Sequence, residues 1–302
     1  MPSRSLPLLL TLCAALLAGC STLPTAQEAE VMPIVHDGKL HKGVGKAIVV
    51  IPGAMASVNM YAPVLDWNVP DSTVMAYRFP GLDGMKLDHR VDIEAAGELI
   101  AEVLTKMEVR EVYLIGFSTG GPIALEAARR LKTPDVDIAL VSTAGPFPAA
   151  VKASVEGFFD VLKAMGRSNG KTLDETWLEN YRTLLYGRKH LENKELAARS
   201  EELAMRQKGR FGTPRLKLTL AHTSDLMTWT LPRDDPKLRA AHIGVFHGAT
   251  DSVFSLKDTE RLAGRIPADG IRVYPNEGHL LYVTEDRLFD EIRGFFGLGP
   301  GG

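Results

Sequence analysis

The sequence predicts an α/β fold: a doubly wound, mostly parallel sheet that carries a helical insertion. Three observations predict it. Apolar, β-branched runs such as Lys46–Ile51, Glu111–Phe117 and Val136–Ser142 are continuous rather than alternating, as expected of strands buried on both faces. Segments of helical periodicity fall between those runs, which argues for crossover units with helices on both sides of a sheet. From about Gly145 to Lys237 the alternation stops and the chain reads as helix alone. The 302 residues, 45% hydrophobic and 24% charged, suffice for one large domain with such an insertion. A net charge of −2, with no basic run interleaved with aromatics, argues against a nucleic-acid partner.

The first segment stands apart from the fold. Arg4 precedes an apolar stretch, Leu6 to Ala18, too short to span a bilayer comfortably. It ends in Leu17-Ala18-Gly19-Cys20, which resembles the lipobox of bacterial lipoproteins. The resemblance implies a signal peptide over 1–19 and lipid attachment at the Cys20 thiol (diacylglycerol, with palmitate-type acyl chains). With Ser21 next, it also implies an outer-membrane location. A plain secretory signal with an incidental cysteine is the other reading. Cys13 lies within the signal, so Cys20 would be the one cysteine of the mature chain, which excludes an internal disulfide and a cysteine nucleophile. Residues 20–45 read as a lipidated tether and N-terminal segment, and 46–302 as the folded domain.

Within that domain the elements follow in order. Lys46–Ile51 is a strand ending at Pro52-Gly53-Ala54-Met55, and Asn59 to Trp67 is a short helix. Ser72–Arg78 is the next strand, ending in a loop rich in turn residues. In Asp92 to Met107, Ile93, Ala96, Leu99, Ile100, Val103 and Leu104 recur at helical spacing. The strand Glu111–Phe117 precedes a helix to Leu131, and Val136–Ser142 is a further strand. The insertion, at about 146–236, contains amphipathic helices near Ser154–Met165, Leu173–Tyr186, Glu192–Gln207 and Leu216–Trp229. Ala241–Phe246 and Gly270–Tyr274 resume the sheet around a helix at Ser255–Ile266, and Arg287–Phe296 closes the chain.

The chemistry gathers at strand ends. The run from Val112 stops at Gly116-Phe117-Ser118-Thr119-Gly120, and a helix begins at Pro122. A strand, a sharp turn with serine at its tip and a helix need small residues on both sides of the serine, because the turn is strained. The helix N-terminus then aims N–H groups and a positive dipole end at the serine oxygen. This arrangement resembles the nucleophile elbow of the α/β-hydrolase superfamily, in its serine esterase- and lipase-like branch, and the resemblance runs from about Lys46 to the C-terminus. It implies the chain order serine, acid, histidine. A serine hydroxyl is a weak nucleophile that needs an imidazole to take its proton, and the imidazole needs a carboxylate to fix its tautomer. Asp251 in His247-Gly248-Ala249-Thr250-Asp251 and His279 in Gly278-His279 both follow strands and match the family's acid and histidine positions. The stretch Ser142-Thr143-Ala144-Gly145, the family's other place for the acid, has no carboxylate, and no strand end positions Asp225, Asp234 or Asp235. Among the eight histidines, His222 falls in the insertion, where it could touch substrate, and His242 and His247 suit opposite faces of one strand rather than a chelating pair.

The early loop reads Pro52-Gly53-Ala54 where the family usually has His-Gly-x. The donor there is a backbone N–H, so the resemblance assigns the oxyanion hole to Ala54, with Met55 as the alternative, together with Thr119. The insertion matches the family's lid, and Met55, Phe158, Trp177 and Trp229 are candidates for an apolar substrate pocket. No ligand spacing for a metal, phosphate loop or dinucleotide fingerprint is present, so neither metal nor cofactor is expected. The expected function is hydrolysis of small-molecule carboxylic esters with apolar acyl or alcohol groups by a Ser118–His279–Asp251 triad, on a protein held to a membrane through its lipid anchor. The same triad would serve a thioesterase, amidase, lactonase or acyltransferase. A non-catalytic envelope binding protein on a hydrolase scaffold is the alternative from another class. Oligomeric state is not legible.

Overall fold

Parallel strands need crossover connections, and the chain supplies a helix for most of them. The computed structural model describes residues 23–24, 32–133, 135–168, 172–207 and 216–299. Cys20, the expected signal peptide over 1–19, and residues 21–22 and 25–31 of the expected tether lie outside the described residues. The strands are β1 (Ile34–His36), β2 (Lys46–Ile51), β3 (Ser72–Tyr77), β4 (Glu111–Phe117), β5 (Asp135–Val141), β6 (His242–Gly248) and β7 (Gly270–Tyr274). They form one seven-stranded sheet in the order β1-β3-β2-β4-β5-β6-β7. β1 runs antiparallel to β3, with Ile34 opposite Tyr77, and every other pair is parallel. β1 falls inside what reads in sequence as an N-terminal segment, because three residues on a sheet edge are too few to display a period. β4 sits at the centre, with Ile51 of β2 opposite Gly116 and Val141 of β5 opposite Phe117. The carboxyl ends of the three strands therefore lie side by side.

The pleat sends successive side chains to opposite faces, and each face has its own core. Val49, Ile51, Val112, Leu114, Ile138, Leu140 and Val245 face one layer. That layer contains α2 (Ile93–Lys106), α3 (Gly120–Arg130) and α9 (Leu256–Arg265). Ile48, Val50, Tyr113, Ile115, Phe117, Val141 and Phe246 face the other. It contains α1 (Ala62–Leu65), α10 (Leu281–Thr284) and α11 (Leu288–Phe295). Burial on both sides is why these strands are continuously apolar in sequence. Helix starts are marked by caps: the Asp92 carboxylate accepts from Ala95 N–H at 2.9 Å, and the Ser255 hydroxyl accepts from Asp258 N–H at 3.3 Å.

Between β5 and β6 the chain forms α4 (Ala149–Arg167), α5 (Leu173–Tyr186), α6 (Lys194–Gln207), α7 (Leu216–Thr223) and α8 (Pro236–Ala240). α5 packs between α4 and α6 around a small core of Tyr181, Leu185, Tyr186 and Ala204. α4 has two unlike faces. Ala150, Ala153, Gly157 and Val161 turn inward, whereas Val151, Val155, Phe158, Phe159, Leu162 and Met165 are exposed. The end of the insertion is tied to the helix behind the elbow. Glu126 of α3, fully buried, accepts the Trp229 indole N–H at 3.0 Å and pairs with Arg129 at 2.7 Å and with Arg130. Arg129 also reaches Asp235 at 2.7 Å. A buried carboxylate is tolerable only with such partners. Among the described residues no helix is long and apolar enough to cross a membrane, and no cluster of His, Cys, Asp or Glu could hold a metal ion.

Candidate active site

β4 ends in the turn that carries Ser118, whose φ of 51° lies in the left-handed region. A non-glycine residue adopts it only where the surroundings hold it. The surroundings leave no slack. Ser118 N–H donates to Val141 C=O at 3.0 Å, and Ser118 C=O accepts from Gly121 and Ala144, each at 3.1 Å. A methyl group on Gly116 would stand 2.7 Å from Gly120 O, and one on Gly120 would stand 2.1 Å from Ile51 O. The two glycines allow β2, the turn and α3 to meet.

Asp251 follows β6 and His279 follows β7. The His279 Nδ1–H donates to Asp251 Oδ2 at 2.9 Å, which leaves Nε2 as the acceptor for the Ser118 hydroxyl at 3.0 Å. The other Asp251 oxygen accepts from Val253 N–H at 2.7 Å and Phe254 N–H at 2.9 Å. Burial pushes the Asp251 carboxyl up, but the charge of His279, its hydrogen bond and the Phe254 N–H outweigh burial and hold it below the usual carboxylate range. The Phe254 ring stands edge-on to the imidazole, with centroids 5.6 Å apart.

The insertion grips this machinery through its backbone. The last carbonyls of a helix have no partner within it, and those of α5 accept from the two loops that carry Asp251 and His279. Leu185 C=O accepts Gly278 N–H at 2.8 Å, and Leu184 C=O accepts His279 N–H at 2.8 Å and Leu280 N–H at 3.2 Å. Tyr186 C=O accepts the Thr250 hydroxyl at 3.0 Å, and Thr183 C=O accepts the Ser252 hydroxyl at 3.3 Å. Nothing in the side-chain sequence signals these contacts, because carbonyls carry no sequence signature.

Ala54 and Thr119 flank Ser118 at the floor of a cavity of about 350 Å³. No hydrogen bond joins either N–H to a described residue. Met55 N–H, by contrast, donates to His222 Nδ1 at 2.9 Å, so the alternative oxyanion donor is already engaged. Met55 and Trp177 line the cavity as the sequence suggests, together with Tyr181, Leu226, Met227 and the small inward residues of α4. Phe158 and Trp229 do not. Phe158 points away from the cavity on the exposed face of α4, and the Trp229 indole is engaged with Glu126 in the core. His222 is not at the cavity wall either, although Thr219 and Thr223 on the same helix are. Among the described residues no Asp, Glu, Lys or Arg lines the space. Ser142, buried at the end of β5 with φ 44°, lines it with a hydroxyl that has no partner among the described residues. The sequence marked Ser142 only as a place without a carboxylate.

The model of the Alpha/beta hydrolase family matches residues 48–291. The chain belongs to that family. No curated protein sequence matches it. Among solved structures it is similar to a hydrolase from Oleispira antarctica, with TM-score 0.55 and 20% identity over 86% of this chain and 94% of that one. It is also similar to a thermophilic esterase from Thermogutta terrifontis, with TM-score 0.58 and 17% identity over 89% and 96%. A bromoperoxidase from Bacillus anthracis matches with TM-score 0.53 and 16% identity over 88% and 95%. At such identities these likenesses speak for the α/β-hydrolase fold and leave the reaction to be argued from the site.

Proposed function

We propose that this α/β-hydrolase is a serine hydrolase that cleaves carboxylic esters with apolar acyl or alcohol groups. The observation that carries the reading is the relay from Ser118 Oγ to His279 Nε2 at 3.0 Å and from Nδ1 to Asp251 at 2.9 Å, opening onto a cavity that no Asp, Glu, Lys or Arg among the described residues lines. Ser118 Oγ attacks the ester carbonyl as His279 Nε2 takes its proton, and Asp251 stabilises the resulting imidazolium. The oxyanion accepts from Ala54 and Thr119 N–H groups, a contribution of about 3 kcal/mol per donor in comparable sites. The tetrahedral adduct collapses as His279 protonates the departing alkoxide, which leaves an acyl-Ser118. Water, deprotonated by His279, then attacks the acyl carbonyl and releases the carboxylic acid. Each step returns the proton it borrowed, so no cofactor enters.

The test is labelling by a fluorophosphonate probe, with Ser118→Ala as the control, followed by turnover of p-nitrophenyl esters of rising chain length beside a thioester and an anilide. Labelling confined to wild type, with esters turned over fastest, supports the reading. A folded wild type that stays unlabelled overturns it in favour of a binding protein on this scaffold. Faster thioester or anilide turnover keeps the triad and changes the bond.

We also propose that the protein is a lipid-anchored envelope protein, modified at Cys20. The Leu17-Ala18-Gly19-Cys20 sequence supports this. Cys20→Ser should abolish labelling by a palmitate analogue and release the protein from membranes. Unchanged retention would sink the anchor.

A further inference from the structure

We infer that His222 is a positioning residue for the oxyanion loop, through which the helical insertion holds Ala54 in the geometry that the reaction needs. The inference rests on the ester-hydrolase reading of the site.

The loop after β2 has no regular structure of its own, yet it must aim one N–H at a developing charge. Its conformation is a constrained one: Met55, next to Ala54, has φ 63°, in the left-handed region. On one side Asp83 holds the loop, accepting from Val58 N–H at 3.0 Å and from the Ser57 hydroxyl at 2.5 Å. On the other side the holder is the imidazole of His222, on α7. Its Nε2–H donates to Pro80 C=O at 2.7 Å, which fixes the tautomer and leaves the Nδ1 lone pair for Met55 N–H at 2.9 Å. One turn earlier on α7 the Thr219 hydroxyl meets the Met55 sulfur at 3.3 Å. The ring rests against Phe79 with centroids 5.0 Å apart, and the residue is 1% exposed. Burial, with His89 nearby, brings the imidazole pKa down to about 4, so Nδ1 keeps its lone pair near neutrality. The contact bridges 167 positions of sequence. It joins the loop that carries Ala54 to the segment that roofs the substrate, without touching the reacting atoms.

Two conservative substitutions separate the ring's two hydrogen bonds. In His222→Asn the amide oxygen lies where Nδ1 was and still accepts from Met55. In His222→Gln the amide nitrogen lies where Nε2 was and still donates to Pro80, while Met55 loses its acceptor. His222→Leu removes both. Steady-state kinetics with p-nitrophenyl butyrate and inhibition by an alkylboronic acid, which forms a tetrahedral adduct, read the effect. Expected is a fall in kcat of about tenfold to a hundredfold in the Gln and Leu variants, as for a misplacement of an ångström or less. Their KM should stay within about threefold of wild type, and boronate affinity should weaken in step with kcat, because only interactions stronger in the transition state change kcat alone. The Asn variant should keep kcat within about threefold of wild type.

A purely structural role predicts that Asn and Gln lower kcat alike, in proportion to lost thermal stability, and that result overturns the inference. Folded variants with wild-type kcat overturn it too. In both cases the wild type still labels and turns over, so the ester reading stands. A wild type that neither labels nor turns over removes the ester reading and this inference with it.

Discussion

The sheet and the helical insertion hold the same site by different means. The sheet delivers the side chains: Ser118, Asp251 and His279 stand just past the ends of β4, β6 and β7, where backbone hydrogen bonds between parallel strands fix the spacing. The insertion restrains the loops around two of them and the loop that carries Ala54. Carbonyls at the end of α5 accept from the loops around Asp251 and His279, and His222 of α7 accepts from the loop beside Ala54. The sheet is thus the part that tolerates no change of shape at its strand ends. The insertion has packed contacts where it meets the loops and open space elsewhere, and the following expectations press on that contrast.

The largest expected effect is on the relay. Asp251→Asn keeps the acceptor that serves Val253 and Phe254 N–H, so the fold should survive, while the imidazole loses the partner that sets its tautomer. kcat should drop by about 10⁴-fold with little change in melting temperature, as for the corresponding loss in other triads. Next is Gly120→Ala. Its methyl group would lie 2.1 Å from a backbone oxygen of β2, where neither side can yield, and a loss of about 4 kcal/mol or more is expected in urea unfolding, or no folded protein.

A smaller effect is expected with pH. His222 has a folded-state pKa of about 4 against an ordinary 6.5, so the unfolded chain binds its proton first as pH falls. Its contribution to stability is complete above about pH 6.5 and is lost progressively down to about pH 4. Burial lowers His190 and His247 in the same direction. Unfolding free energies from urea titrations at pH 7 and pH 5 should therefore differ by roughly 2 kcal/mol or more, and His222→Leu should shrink that difference. The smallest effect has the opposite sign to Gly120→Ala. In Gly157→Ala, within α4, a methyl group would meet nothing within 4 Å, so the helix should gain roughly 0.5–1 kcal/mol. Destabilisation there would mean that the insertion is packed as tightly as the strand ends, and the contrast would fail.

The contrast also explains what the sequence made legible. Strands β2 to β6 were plain because burial on both faces demands continuous apolar runs, and the Ser118 and Asp251 positions were plain because each follows such a run, whereas His279 follows the more exposed β7 and is marked by its Gly278-His279 pair. β1 and α10 were missed, since three or four residues make no period. The pocket is hard to read in sequence for a different reason. Large aromatics are natural candidates for an apolar lining, yet on α4 those residues, Phe158 among them, face outward. The inward face is Ala150, Ala153, Gly157 and Val161, because a cavity forms where side chains are small. Trp229 was hidden by its partner: nothing near it in sequence reveals that Glu126, on another helix, takes its indole N–H. His222 was suspected of touching substrate, and only the fold places its two nitrogens against Met55 and Pro80.

The uncharged lining of the cavity gives the proposed reaction a direction. An ester enters without surrendering a charge to the apolar wall. The acid that leaves Ser118 ionises at neutral pH, and no Lys or Arg among the described residues lines the space to receive the anion. With neutral donors such as the Ala54 and Thr119 N–H groups beside it, and no fixed cation among the described lining residues, a carboxylate there is less well accommodated than the neutral ester. The site therefore favours what it consumes over what it makes, and the change of charge on hydrolysis itself drives the product out.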